Sequence, residues 1–269
     1  MTPNKLQDVI DPSVSGATLI NGIPSFVDAA RSQSIAMQQS QRSENRFKDF
    51  FKRWPKLYDA LVWLVGPSYF TGYTSERFVR HFRPAGITLH VGSGTRVLPC
   101  QSINLDLFPF PGVDVIADVA SLPFRSDAFG AVTCDQVLEH VEHPHLVARE
   151  IVRVTASGGF IHVASPFLFP WHPSPSDYTR WTKEGLASLF SECEVVESGI
   201  MAGPCSAFVA FMAAFIATAF SGGSRSIQGI VQYIFLILLA PIKFLDILFA
   251  RLPNADLCAA NFYIIVRKR

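Results

Sequence analysis

Short apolar runs alternate with helical stretches between residues 87 and 200. Residues 138–154 carry apolar side chains at helical spacing, and Gly158-Gly159 ends that stretch. Seven apolar runs have the length and β-branched content of strands: ITLHV (87–91), SINLD (102–106), VDVIAD (113–118), AVTCDQV (131–137), GFIHVASP (159–166), CEVVESG (193–199) and NFYIIVRKR (261–269). This alternation predicts an α/β fold with a seven-stranded, largely parallel sheet and helices on both faces.

An apolar insert, residues 204–252, separates the sixth and seventh predicted strands. No charged residue occurs from 199 to 224, and a second apolar stretch, 227–249, is interrupted by Pro241. A bilayer-spanning helix needs roughly 20 apolar residues, so the first stretch just suffices and the second falls short before Pro241. Because both ends return to one sheet, we predict a helical hairpin that dips into one membrane leaflet. A tight two-span hairpin, a lid on the same domain and a homodimer interface are the alternatives.

The remainder of the chain divides into three parts. Residues 1–46 form a polar N-terminal extension, with a short hairpin predicted around Asn21-Gly22. Residues 47–85 form an amphipathic helical cap. Within it, residues 47–65 place aromatic side chains among lysines and arginines, as in a cap over a pocket, a helix on a membrane surface or a helix packed on the core. Residues 86–269 form the main domain, which contains the insert.

Bulk composition narrows the choice of partners and location. The formal net charge of +1 gives no reason to expect a nucleic-acid partner. The five cysteines match no zinc-binding spacing, so we expect no metal site and read them as free thiols of a reducing compartment. The N-terminus lacks a basic segment followed by an apolar one. We therefore expect a cytoplasmic protein, associated with the cytoplasmic face of a membrane through 204–252 and 47–65.

The first two predicted strands end in residues suited to a nucleoside-type ligand. The first strand runs into Gly92-Ser93-Gly94, where the missing Cβ atoms let the backbone approach a ligand. The second ends in Asp106, whose carboxylate can accept two hydrogen bonds from a ribose diol. Since parallel sheets bind cofactors at the carboxyl ends of their strands, these residues predict a cofactor site there.

Four segments in this order resemble the class I S-adenosylmethionine-dependent methyltransferases, in particular the group called methyltransferase type 11. They are LHVGSGT (89–95), NLD (104–106), ADVASLPFRSDAFGAV (117–132) and CDQVLEHVEHP (134–144). The resemblance covers about residues 70–200 and the last strand. It implies a Rossmann-like sheet whose last strand is antiparallel, S-adenosyl-L-methionine as cofactor, and methyl transfer as the activity.

The resemblance also implies a role for individual residues. The glycine turn would line the methionine end of the cofactor, and the acid after the second strand would bind the ribose hydroxyls. The residues after the third strand would contact the adenine, and those after the fourth would lie near the methionine part, facing the substrate. The cofactor residues implied are His90, Gly92, Ser93, Gly94, Asp106, Leu107, Asp118, Val119, Asp135 and Gln136.

Three positions depart from the family pattern. His90 stands where relatives usually carry an acid, Arg96 occupies the third glycine position, and Gly130 replaces an acid. A neutral His90 could hydrogen-bond the ammonium end of the cofactor, whereas an imidazolium would repel it. These departures bear on how tightly the cofactor binds more than on the fold.

Two histidines are the candidate general bases. His140 belongs to the Glu139-His140 pair after the fourth strand, and His172 lies in the Pro-rich segment 165–190. An unperturbed imidazole has a pKa of about 6.5, which suits proton uptake near neutral pH. We expect Asp135 and Tyr178 to position the acceptor. No base is needed where a tuned nitrogen or an acidic carbon attacks unaided.

The sequence thus predicts an S-adenosylmethionine-dependent methyltransferase acting on a small or lipid-linked acceptor at a membrane surface. The acceptor would be amphiphilic, such as a lipid-attached sugar or a quinone-like molecule. A nucleotide-dependent oxidoreductase is one alternative, but the residues after Gly94, ending in Pro99, do not suit the helix that its GxGxxG motif would open. A catalytically silent binding protein with the same fold is another, suggested by His90 and Gly130. The oligomeric state stays open.

Overall fold

A computed structural model describes residues 6–14, 17–28, 66–173 and 176–269. In this part of the chain nine strands form one sheet in the order β1-β2-β5-β4-β3-β6-β7-β9-β8. The strands are β1 (Thr18–Ile20), β2 (Ile23–Ser25), β3 (Thr88–Val91), β4 (Ser102–Asp106), β5 (Val115–Ile116), β6 (Phe129–Asp135), β7 (Thr155–Pro166), β8 (Glu194–Ala202) and β9 (Asn261–Arg267).

Seven of these strands make the predicted Rossmann-like sheet. Strands β5, β4, β3, β6 and β7 run parallel. Strand β9 is antiparallel and lies between β7 and β8, as the prediction for the last strand required. The predicted fold class is therefore confirmed, although the strand count of seven is too low for the described sheet.

The two additional strands belong to the hairpin predicted in the N-terminal extension. Strands β1 and β2 pair around Asn21 and Gly22, whose φ angles of 50° and 80° are those of a tight hairpin turn. The hairpin joins the sheet because Ser25 of β2 pairs with Ile116 of β5. Edge pairing of this kind satisfies backbone groups and leaves no signal in the hydrophobic pattern, so the sequence did not indicate it.

Helices cover both faces of the sheet. One correction concerns residues 138–154, which do not form a single helix. A 3₁₀ turn at Leu138–His140 is separated from a helix that begins at Pro144, because proline favours the first helical position and disfavours helix in the residue before it. The helices are α1 (Ser75–Phe82), α2 (Pro144–Val154), α3 (Lys183–Leu189), α4 (Pro204–Phe220), α5 (Arg225–Lys243) and α6 (Asp246–Phe249).

Helix α1 is the described part of the predicted cap, whereas residues 47–65 lie outside the described residues. The Thr74 side chain caps it by accepting a hydrogen bond from the Arg77 amide. Phe78 is fully buried and stacks on His162 of β7, with ring centroids 5.3 Å apart. Helix α1 therefore covers one face of the sheet near its centre.

The insert forms a helical hairpin that projects from the carboxyl edge of the parallel strands. Asn261, the first residue of β9, pairs with both Pro166 at the end of β7 and Ala202 at the end of β8. The hairpin begins and ends at this edge. Helix α5 continues through Pro241 to Lys243, so our prediction that the second stretch is too short to span a bilayer is wrong by length and composition. Proline falls in the last turn, where a single backbone hydrogen bond is lost.

The hairpin buries small side chains and exposes large ones. Helix α4 buries alanines, whereas Phe215 and Phe220 are 69% and 73% exposed. On α5, Leu238 is 64% exposed and Ile230 is 62% exposed. By length and composition alone, α5 is apolar enough to cross a bilayer. A continuous apolar surface of this kind marks a site of contact with a membrane or a protein.

Candidate active site

A cavity of about 400 Å³ opens at the carboxyl edge of the parallel strands. Its wall comes from the segments that follow β3, β4, β5 and β6, together with the loop after β7. The lining residues are Gly92, Asp106, Leu107, Phe108, Phe110, Asp118, Val119, Ala120, Gln136, Val137, His140, Val141, Glu142, His143, Ser176 and Tyr178. Eight of the thirteen predicted site residues are among them: Gly92, Asp106, Leu107, Asp118, Val119, Gln136, His140 and Tyr178.

The turn after β3 and the acid after β4 are connected directly. Gly92 and Gly94 have φ angles of 65° and 56°, in the left-handed region. A Cβ atom on Gly92 would collide with the Val137 side chain. The Asp106 carboxylate accepts hydrogen bonds from the Gly94 amide at 2.8 Å and from the Phe108 amide at 3.0 Å. Burial raises the pKa of Asp106, while these hydrogen bonds act in the opposite direction.

The far wall of the cavity combines an acid with two aromatic rings. The Asp118 carboxylate accepts a hydrogen bond from the Ala120 amide at 2.9 Å. Phe108 and Phe110 lie with ring centroids 5.8 Å apart. The sequence analysis missed both rings, and their position just after Asp106 was the available signal. Aromatic faces beside a carboxylate suit a nucleoside, which has a flat base and a diol.

Gln136 is held in an unusual conformation at the end of β6. Its φ angle is 58°, which is rare for a residue other than glycine and costs about 1 kcal/mol or more. Asn261 donates a hydrogen bond to the Gln136 Oε1 atom at 2.8 Å, which fixes the side-chain amide. Gln136 Nε2 is buried without a hydrogen-bond partner among the described residues. This amide group fits a ligand with a polar end in the cavity.

The loop after β7 is attached to the 3₁₀ turn that carries His140. The His140 Nδ1 atom lies 2.6 Å from the Ser176 carbonyl oxygen, and the Tyr178 amide donates to the Glu139 carbonyl at 2.7 Å. Tyr178 is half exposed at the mouth of the cavity. Both predicted residues therefore line the cavity.

An ion pair stiffens the same loop. The Arg180 guanidinium binds both oxygens of the Asp177 carboxylate, and Asp177 also accepts a hydrogen bond from the His172 amide at 2.7 Å. Burial raises the pKa of Asp177, but the Arg180 guanidinium outweighs burial and lowers this pKa to about 2. Burial lowers the pKa of His172, so its neutral form is favoured.

Glu139 is a buried acid that the sequence analysis assigned no role. Its side chain is fully buried, and Ser165 Oγ lies 3.3 Å from Oε2. Burial raises the pKa of Glu139 to about 8. Its Oε1 atom has no hydrogen-bond partner among the described residues and lies 3.8 Å from His140 Nε2. A carboxyl group in these surroundings points to a functional role.

Five predicted residues do not line the cavity: His90, Ser93, Gly94, Asp135 and His172. His90 pairs with Asn104 and Thr133 across the sheet, and Asp135 lies two residues beyond Thr133 on the same face. This face is covered by α1, whose first amide, that of Ser75, donates to Asp135 at 2.8 Å. Asp135 is also 3.1 Å from His162 Nδ1. The structure thus gives Asp135 a place under the helix, away from an acceptor in the cavity.

The surroundings of His90 and His172 also differ from those predicted. His90 is buried and burial lowers its pKa, which favours the neutral form that can tolerate a nearby ammonium. His172 lies on the wall of a second cavity, of about 70 Å³, between the loop after β7 and the hairpin. Its ring meets that of His140 edge to face, with centroids 5.2 Å apart. The two histidines therefore separate the large cavity from the small one.

Comparison with known proteins identifies the segment that forms much of this cavity. Residues 98–163 match the family model described as a methyltransferase domain. The predicted family is confirmed for this segment. The match runs from the loop after β3 into β7 and includes Asp106, Asp118 and the Glu139-His140 pair. The glycine turn and the hairpin lie outside it.

A curated relative extends the similarity. Over 114 residues the chain is 31% identical to the demethylmenaquinone methyltransferase of Renibacterium salmoninarum. The similar region covers 36% of this chain and 48% of the relative. The chain therefore spans about half the length of this relative.

Two solved structures show a more distant likeness. Coclaurine N-methyltransferase bound to N-methylheliamine and S-adenosylhomocysteine is 10% identical, with a TM-score of 0.48, over 78% of this chain and 81% of that one. The [4+2]-cyclase SpnF is 17% identical, with a TM-score of 0.45, over 79% of this chain and 94% of that one.

Proposed function

We propose that this chain is an S-adenosylmethionine-dependent methyltransferase. The observation that carries the proposal is the cavity at the sheet edge, where Asp106, Asp118 and the Gly92 turn meet within the methyltransferase-domain fold. Asp106 would hold the ribose, the segment around Asp118 would hold the adenine, and Gln136 would face the methionine part. When bound, the cofactor supplies an electrophilic methyl group on a sulfonium.

The chain's own groups would align the acceptor and take its proton. With the His140 Nδ1 atom 2.6 Å from the Ser176 carbonyl oxygen, the proton of a neutral imidazole belongs on Nδ1. Nε2 is then the atom that can accept a proton. Tyr178, at the mouth of the cavity, would position the acceptor. His172 lies behind His140, so a role for it as base requires an acceptor that reaches the second cavity.

Calorimetric titration tests the cofactor assignment. We expect the full chain to bind S-adenosylmethionine and S-adenosylhomocysteine, and Asp106→Ala to weaken binding at least tenfold because the ribose loses a charged acceptor. Asp127→Asn is the matched control, since Asp127 is exposed and precedes β6 at the opposite edge of the sheet. An unchanged affinity in Asp106→Ala would contradict the assignment.

The same titration separates the alternatives. Binding of a dinucleotide in place of S-adenosylmethionine would favour an oxidoreductase. The chain between β3 and β4 argues against that alternative, because it contains no helix of the kind that a dinucleotide-binding motif opens. Cofactor binding without turnover of any acceptor would favour a silent binding protein.

We further propose that the acceptor is amphiphilic and reaches the site from the cytoplasmic face of a membrane. The apolar hairpin starts at the sheet edge that holds the cavity, and His172, on the wall of the small cavity beside the hairpin, contacts His140 on the wall of the large one. The name of the curated relative, a demethylmenaquinone methyltransferase, supports a quinone-like acceptor. The five thiols are free, which suits a reducing compartment, although Cys100 and Cys258 are exposed rather than buried.

Flotation with phospholipid vesicles tests the membrane contact. Large apolar side chains gain roughly 1.5–3 kcal/mol each on burial, so the exposed face of α4 and α5 favours a bilayer. We expect the full chain to float with vesicles of phosphatidylethanolamine and phosphatidylglycerol, and Phe215→Ser with Leu238→Ser to reduce that fraction. Leu19→Ser is the control, because Leu19 is equally exposed at the far edge of the sheet. Equal flotation of all variants would refute the proposed surface.

A further inference from the structure

Glu139, His140 and His172 converge on one point behind the large cavity. Each can offer one ligand atom, and these atoms lie within 4.8 Å of one another. Glu139 is fully buried and contributes an oxygen without a hydrogen-bond partner in the described part of the chain. That oxygen lies 3.8 Å from His140 Nε2. A buried carboxylate oxygen directed at imidazole nitrogens is the donor set that divalent metal ions use in proteins.

Both histidines are oriented as metal ligands usually are. A histidine ligand commonly donates its second ring N–H to a backbone carbonyl or a carboxylate, which leaves the other nitrogen for the ion. The His140 Nδ1 atom lies 2.6 Å from the Ser176 carbonyl oxygen. The His172 Nδ1 atom lies 3.1 Å from the Pro170 carbonyl oxygen and 3.4 Å from the Asp177 carboxylate. These contacts engage Nδ1 of both rings, and it is Nε2 of His140 that lies 3.8 Å from Glu139 Oε1.

The nearby charges are compatible with a cation. Arg180 lies 3.4 Å from His172 Nδ1, but Asp177 binds its guanidinium through both carboxylate oxygens. A tetrahedral zinc ion with bonds of about 2.1 Å holds its ligand atoms about 3.4 Å apart. Separations of up to 4.8 Å therefore need a contraction of up to about 1.4 Å, which side-chain rotation in a loop and a 3₁₀ turn can supply.

We propose that Glu139, His140 and His172 bind one divalent transition-metal ion, with zinc or cobalt as the probe. Two histidines and one glutamate leave at least one coordination position open, as in catalytic zinc sites. His140 lines the large cavity, so an ion bound here would lie beside the space assigned to the acceptor. The role of the ion in the reaction rests on the proposed function: it would favour the deprotonated form of an acceptor hydroxyl, in place of a histidine base.

Metal binding can be measured without any assay of methyl transfer. The full chain is freed of metal with a chelator and titrated with Co²⁺ by visible absorption and with Zn²⁺ by calorimetry. We expect one ion per chain, and a loss of affinity beyond about 100-fold in Glu139→Gln and in His172→Asn. That loss exceeds the roughly 10- to 100-fold that removal of a residue orienting a ligand costs. His145→Gln is the control, since His145 is an exposed histidine on α2.

The outcomes separate the two proposals. Absence of binding in the wild type, or equal binding in Glu139→Gln and His172→Asn, overturns the metal site. An equal loss in His145→Gln overturns it as well, because the ion would then sit on surface histidines. If Glu139→Gln does not fold, His172→Asn still tests the site, because His172 is partly exposed and its substitution disturbs the core less. Failure of the metal-free chain to bind S-adenosylmethionine would overturn the proposed function and leave the metal result standing.

Discussion

At the scale of single residues, the candidate site depends on backbone that only glycine adopts easily. Gly92 and Gly94 both have positive φ angles, but their surroundings differ. A Cβ atom on Gly92 would meet the Val137 side chain, whereas a Cβ atom on Gly94 would meet nothing within 4 Å. The sequence motif treats the two glycines alike. The structure shows that one is required for space as well as for conformation.

This difference predicts unequal effects of two matched substitutions. Gly94→Ala should cost only the left-handed conformation, about 1 kcal/mol of unfolding free energy. Gly92→Ala should cost more and should weaken S-adenosylmethionine binding more, because Val137 must also move. Urea denaturation and calorimetry of both variants provide the comparison. Equal losses in the two variants would show that the Val137 contact is unimportant.

Because the Asp106 carboxyl is buried, we expect cofactor binding to depend on pH. Burial raises its pKa, so on acidification it becomes protonated sooner than an ordinary aspartate. The protonated carboxyl loses its charge and part of its capacity to accept hydrogen bonds from the ribose. We expect the Kd for S-adenosylmethionine to rise as the pH falls through the raised pKa. In Asp106→Asn the Kd should be higher at every pH and this step should be absent; a step that persists in the variant assigns it to another group.

At the scale of elements, the junction between the sheet and the hairpin is held by one buried acid. Asp246, at the start of α6, accepts hydrogen bonds from the Cys205 and Ser206 amides at 2.8 and 2.9 Å. These amides belong to the first turn of α4, which has no side-chain cap from its own N-cap residue, Gly203. Asp246, which is distant in sequence, thus caps α4 in place of a local residue. Its carboxylate also interacts favourably with the positive end of the helix dipole.

Asp246→Ala should therefore destabilise the hairpin junction. It leaves two amide groups near the N-terminus of α4 without their acceptor, so we expect a loss of about 2 kcal/mol or more in unfolding free energy. Asp256→Ala is the control, because Asp256 forms a partly exposed ion pair with Lys183, and ion pairs at the surface contribute little to stability. Thermal and urea denaturation measure both. A loss in Asp246→Ala no larger than that in the control would exclude the capping role.

At the scale of the whole molecule, the fold brings an apolar surface and a polar cavity to the same edge of one sheet. The cofactor residues follow the parallel strands, and the hairpin follows β8, which ends at that edge beside β9. Cofactor binding and access of a lipid-like acceptor are thus assigned to adjacent but different surfaces. This arrangement predicts that cofactor binding and acceptor access can be impaired separately by substitution.

The combined variant Phe215→Ser with Leu238→Ser should separate these two properties. We expect its Kd for S-adenosylmethionine to match the wild type, since neither residue lines the large cavity. Its turnover of a quinone embedded in vesicles should fall at least tenfold, whereas turnover of a short-chain, water-soluble analogue should not change. Equal losses with both acceptors would place the defect in folding or in the cavity rather than in membrane contact.

Short apolar runs predicted the strands of the parallel sheet, and Asn21-Gly22 predicted the hairpin turn. The glycine turn and Asp106 were also predicted from local pattern, whereas the resemblance to a known family implied Leu107, Asp118, Val119 and Gln136. Hydrophobic periodicity and glycine position are properties of short segments, and β4 begins and ends where it was predicted. Neither property reveals which face a strand residue presents to a helix from elsewhere in the chain. Asp135 was assigned to the cofactor and the acceptor for this reason, yet it lies under α1.

Contacts between residues far apart in sequence were decided only by the tertiary structure. The convergence of Glu139 with His172 and the capping of α4 by Asp246 each join separate segments. The hydrophobic effect, which dominates the pattern, is non-directional and proportional to buried area. Hydrogen bonds and electrostatic interactions depend on distance and angle, which exist only after the chain has folded.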